Sequence, residues 1–146
     1  MSVLKNSIAL VTATLAAAAL PTLIVVAIVF SIAHEEITNE EWWITLATLF
    51  AFAMAQVVLL GLPVAAVLRR IGRTGVVPVA LAGLIVGVVP YAIYSFPFDA
   101  ASRAEPWVMG WLEELAVFGV LGVLGAMAFL LVYRVMTRER GQPVTA

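Results

Sequence analysis

The sequence contains no cysteine and a single histidine, His34. Without thiols there is no disulfide, no thiol redox chemistry, no cysteine-ligated metal and no cysteine palmitoylation. One histidine excludes a haem held between two histidines, and any multi-histidine metal centre, within this chain. Charge is scarce as well. Only 12% of the 146 residues are Asp, Glu, Lys or Arg, and the formal net charge of −1 offers nothing to attract nucleic acid. Four long stretches carry no charged residue at all: 8–33, 42–68, 76–96 and 115–133. Proton- and ion-coupled transporters generally place an ionisable group inside the bilayer, so this absence argues against coupled transport. There is no nucleophile–base pair, phosphate-binding loop or intramembrane carboxylate pair, which argues against an enzyme and gives no reason to expect a cofactor.

What is present is apolar. Hydrophobic residues make up 64% of the chain, and the mean hydropathy is +1.10. A soluble domain of this length could not hide that much apolar surface, so lipid must solvate most side chains. A helix needs about 20 residues to cross the hydrocarbon core, and each charge-free stretch provides roughly that number or more. The runs are continuously apolar rather than alternating, which makes the strands of a β-barrel a poor alternative. Lys5 ahead of the first run, with Ala17 and Ala19 as small residues within it, has the outline of a signal peptide. Cleavage there would strand an apolar end too short to span, so the run is read as a retained helix.

Basic residues set the expected orientation. Lys5, Arg69, Arg70, Arg73, Arg134, Arg138 and Arg140 fall on one side of the four spans and only Arg103 on the other. In short loops this bias places both termini in the cytoplasm. The acids show the opposite bias, and Trp42, Trp43, Trp107 and Trp111 gather at the outer ends of the second and fourth spans, as an aromatic belt would. Glu113 and Glu114 would each cost roughly 2.5–3.5 kcal/mol at the bilayer centre. Residues 107–114 are therefore expected at the interface, ahead of the fourth span. The connections at 34–41 and 69–75 are tight. The expected fold is an all-α integral membrane protein: one domain, a four-transmembrane-helix bundle built from two antiparallel hairpins, with residues 141–146 as a flexible tail.

Within the spans, small residues recur at helical spacing: Ala47, Ala51 and Ala55 on the second, Gly83 and Gly87 on the third, and Gly119, Gly122 and Ala126 on the fourth. Such stripes let backbones approach closely where no hydrophobic effect drives helices together. They serve packing within the bundle. The alternative is that one of them, first of all the stripe on the fourth span, docks a second copy or another membrane protein, in which case Gly122→Leu disrupts assembly without preventing insertion. Prolines 21, 63, 78 and 90 interrupt the spans. Pro21, near the middle of the first, removes a backbone hydrogen bond and kinks the helix. Gln56 is the most polar side chain near mid-membrane, and its expected partner is the carbonyl freed near Pro21 or a group on another helix.

Outside the spans, Glu35, Glu36, Glu40, Glu41, Glu113 and Glu114 form an acidic outer surface. With His34 these are the nearest thing to a metal constellation, but their spacing is not diagnostic of any ion, and no metal site is assigned. The function read from these features is that of a non-enzymatic inner (plasma) membrane protein acting through helix–helix contacts. It would serve as an accessory subunit, or as a protective, immunity-type partner, of another membrane protein. The alternative is a small oligomeric channel or uncoupled transporter for a neutral or lipophilic substrate. The expected partners are the lipid bilayer and another membrane protein or a second copy.

Overall fold

The structure, a computed structural model, describes residues 2–33, 39–99 and 107–138, with side chains described within 6–31, 40–93 and 112–137. Every regular element among them is helical: α1 (Ser2–Ala33), α2 (Asn39–Gln56), a single π-helical turn (Val57–Gly61), α3 (Leu62–Arg70), α4 (Val76–Asp99) and α5 (Trp107–Arg138). Four segments are long and apolar enough to cross a membrane: Asn6–Ser31, Glu40–Arg70, Val76–Ile93 and Leu112–Thr137. The second of these is α2, the π turn and α3 in series. The chain therefore has the form of a multi-pass membrane protein.

Its interior and exterior are inverted relative to a soluble bundle. The buried residues of the core are almost all small, Ala9, Ala13, Ala17 and Ala18, with Leu130 beside them, and no large side chain is fully buried among the described residues. Trp43, Leu59, Val77 and Leu131 point outward, each more than 60% exposed. Lipid solvates large apolar groups as well as a protein core does. Close helix contact must therefore come from residues small enough to bring backbones together.

α5 is the spine. It packs along α4 on one side and along α1 on the other. Against α4 the approach is close to its limit. A Cβ built on Gly83 would lie 2.5 Å from the Ala126 Cβ, and one on Gly122 would lie 2.9 Å from the Gly87 Cα. The pairs descend one helix as they climb the other: Gly83 meets Gly122 and Ala126, Gly87 meets Phe118 and Gly122, and the Tyr91 ring stacks on Phe118 at 4.5 Å. Against α1, Gly125 closes on Ala17, whose carbonyl oxygen would lie 2.8 Å from a Cβ at that glycine.

The α2–α3 arm is held more lightly. α1 supports it along α2, with Phe30 tilted against Trp42 at 5.2 Å, while α4 touches it through the π turn and α3. No residue from 40 to 70 is buried. The π turn has a local cause. Pro63 lacks an N–H, and its ring would collide with the Leu59 carbonyl in a regular helix. The backbone widens ahead of it, and the Leu62 N–H reaches back to the Val57 carbonyl, five residues away. α3 then ends in a glycine cap. Gly72 takes φ +71°, its N–H donates to the Arg69 carbonyl at 3.2 Å, and the Arg73 N–H donates to the Leu68 carbonyl at 2.9 Å. This cap is what makes the 69–75 connection tight.

Residues 107–114, expected at the interface ahead of the fourth span, are helical. Those residues form the first turns of α5, continuous with the span. Glu113 and Glu114 fall in its second and third turns, between Leu112 and Leu115.

Candidate functional site

Between the lightly held arm and the α1–α5–α4 layer lies a cavity of about 700 Å³. All four spans contribute to it: Pro21 and Thr22 from α1, Ala53 and Gln56 from α2, Ala82 and Val86 from α4, Gly122 and Phe129 from α5. Its volume falls in the range of roughly 300–1,000 Å³ typical of small-molecule sites. The walls are mainly apolar, and polarity is confined to a few places.

One is Gln56. Its Nε2 donates to the Val86 carbonyl oxygen at 2.6 Å. That carbonyl stands four residues before Pro90, so it is the one Pro90 cannot serve with an N–H. Gln56 therefore repairs a helix break, as expected, but the break belongs to Pro90 on α4. Of its two expected partners, the group on another helix is the one it meets, and the carbonyl near Pro21 is not. Pro21 frees the Ala17 carbonyl instead, and that oxygen abuts Gly125. Pro21 and Gln56 share the cavity wall without bonding to each other's break.

The hydroxyl that α1 brings to the wall is consumed locally: Thr22 Oγ1 donates to the Ala18 carbonyl at 2.8 Å. No buried side-chain nitrogen or oxygen among the described residues lacks a partner. The cavity thus offers an occupant little besides apolar surface along most of its length.

The other polar end is basic. Arg69 and Arg134 line it together with Thr74, Tyr133 and Thr137. The Arg69 guanidinium lies over the Tyr133 ring, 5.3 Å from its centroid. Arg134 Nη2 donates to the Thr74 carbonyl at 2.9 Å. Pro78, at the third residue of α4, has no N–H with which to continue the helix back to Thr74, so that oxygen is open to an outside donor. Sequence reading used these arginines only for orientation. That bias put both on one side of the spans, but that they line one end of a shared cavity depends on helix packing, for which the sequence carries no signal.

The small-residue stripes divide in two. Gly83, Gly87, Gly119, Gly122 and Ala126 are brought together between α4 and α5, Gly119 against the side chains of Val88 and Leu84. Ala47, Ala51 and Ala55 are all exposed. A further stripe, Ala9, Ala13 and Ala17 on α1, is buried and went unread. Its spacing of four was the available signal, obscured by the surrounding alanine run. Of the acidic surface, Glu40, Glu41 and Glu113 are exposed and Glu114 is half-buried. Glu35, Glu36 and His34 lie outside the described residues. Comparison with protein-family models, with curated proteins and with solved structures found no match to this chain.

Proposed function

We propose that this chain is a non-enzymatic protein of a bacterial inner membrane, arranged as two antiparallel hairpins with both termini cytoplasmic. It acts as an accessory or protective subunit that binds another membrane protein through α2. The supporting observation is the open face of that helix. Ala47, Ala51 and Ala55 present a stripe of small residues at spacing four, all exposed. The other stripes of this kind in the chain are buried or occupied in helix contacts. An exposed small-residue face is suited to close approach by a helix from outside.

The test is site-specific photocrosslinking in the native host. A photoreactive residue at position 51 should capture one membrane protein in stoichiometric amounts, and the same residue at 126, inside the α4–α5 contact, should capture none. Capture of lipid alone at position 51 would remove the basis of the reading. The cavity favours a second reading, an uncoupled carrier for a neutral or lipophilic molecule. Flux of such a molecule into proteoliposomes, reduced by Gln56→Leu, would support it.

A further inference from the structure

The geometry points to a binding site for an anionic phospholipid. Its phosphate would sit between Arg69 and Arg134, and one acyl chain would enter the cavity towards Gln56. This goes beyond the docking role of α2, because the site is on the inner side of the arm and needs no protein partner.

Three observations carry the assignment. First, among the described residues the two arginines are the only formally charged ones that line the cavity, and no carboxylate lines it. Two positive charges at the mouth of an apolar slot call for an anion joined to an apolar body. Neither a neutral lipophile nor free phosphate satisfies both ends. Second, both guanidinium groups are steadied and still have donors to offer. Arg69 rests on Tyr133, and Arg134 spends one N–H on the Thr74 carbonyl. An arginine has five N–H donors in a fork that suits phosphate oxygens. Third, the dimensions fit one leaflet. Residues 56 to 69 cover roughly 20 Å along the arm, and half of the hydrocarbon core is about 15 Å thick. The arginines therefore stand at headgroup depth when Gln56 is near mid-membrane. Basic pockets between spans are known recognition points for anionic headgroups.

The lightly held arm supplies the route. A phospholipid diffusing in the plane of the membrane can enter between α2–α3 and the other spans without leaving its leaflet. No opening to water is needed.

The experiment is native mass spectrometry of the full-length protein released from micelles doped with equal amounts of phosphatidylglycerol and phosphatidylcholine. The expected result is retention of one phosphatidylglycerol in clear preference to phosphatidylcholine, with no displacement by excess inorganic phosphate. Arg69→Gln with Arg134→Gln should weaken retention roughly thirtyfold. Arg69→Lys with Arg134→Lys should recover part of it. Arg70→Gln with Arg73→Gln, at exposed positions off the cavity wall, should leave it intact. Ala53→Phe, which fills the slot, should also expel the lipid. Equal retention of the two lipids would overturn the proposal. So would equal losses from the two arginine pairs, which would indicate a diffuse surface charge. Undiminished retention in Ala53→Phe would overturn the placement of the acyl chain. None of these outcomes bears on crosslinking at position 51, so lipid binding and partner docking succeed or fail separately.

Discussion

Pro21, Pro78 and Pro90 each leave a carbonyl without the N–H that a regular helix would supply, and each of those carbonyls lies against a different helix. The Val86 oxygen receives Gln56, the Thr74 oxygen receives Arg134, and the Ala17 oxygen abuts Gly125. In lipid an unmet carbonyl cannot turn to water, so these contacts help to fix how the helices sit against one another. The Gln56 contact can be isolated by a double-mutant cycle. Gln56→Leu should destabilise the protein by about 1 kcal/mol, within the range measured for interhelical hydrogen bonds in membranes. In a Pro90→Ala background the alanine N–H serves Val86, and the same substitution should cost no more than about half as much. Reversible unfolding in mixed micelles measures both; equal costs in the two backgrounds would mean that Gln56 does not act through the Pro90 break. At this scale the sequence was informative about residue type only. An amide at mid-membrane beside several prolines must find a carbonyl, but which proline depends on helix register, and Pro21 and Pro90 were equally available on paper.

At the scale of the helix, stripes of small residues were legible and their destinations were not. The spans are apolar on every side, so no polar face marks which way a stripe turns. The stripe on α5, first candidate for an external partner, is spent on α4, while the alanine stripe on α2 is the one left open. The two stripes should respond differently to bulk. Gly122→Ala places a methyl against the Gly87 backbone and should cost about 1–3 kcal/mol through overpacking. Gly122→Leu should force α4 and α5 apart within the monomer. Ala51→Leu, at an exposed site, should change monomer stability by less than about 0.5 kcal/mol. Unfolding of the three variants in the same micelles decides the matter, and a Gly122→Ala protein as stable as the parent would contradict the close contact. The π turn makes a separate prediction. Pro63→Ala restores a donor for Leu59 and removes the cause of the wide turn. Relaxation to a regular helix would rotate α3 by about 100°, one residue's turn, and carry Arg69 off the Tyr133 ring. Spin labels at positions 69 and 133 would report this as a change in distance distribution; an unchanged distribution would show that contacts with α4 hold the π turn without the proline.

For the molecule as a whole, composition alone was enough to require four apolar spans, because 146 residues with so little charge have no other way to satisfy their surface. The arrangement of those spans around a cavity was not legible, since it depends on how lightly α2 and α3 are held, and that is a matter of contacts rather than pattern. Orientation joins the two levels. The basic bias that predicts a cytoplasmic 69–75 loop would also put Arg69 and Arg134 at the cytoplasmic headgroups. The chain has no cysteine, so single cysteines can be read against no background. Arg73→Cys suits the short loop because it avoids Gly72, whose positive φ disfavours other residues. Ser102→Cys suits the connection between α4 and α5. In intact cells a membrane-impermeant maleimide should label position 102 and leave position 73 untouched until the membrane is opened. The reverse pattern would invert the protein, and with it the leaflet from which a phospholipid could reach the two arginines. The site would then have to draw on lipids of the outer leaflet, and retention of phosphatidylglycerol in micelles would no longer describe a cytoplasmic-face interaction.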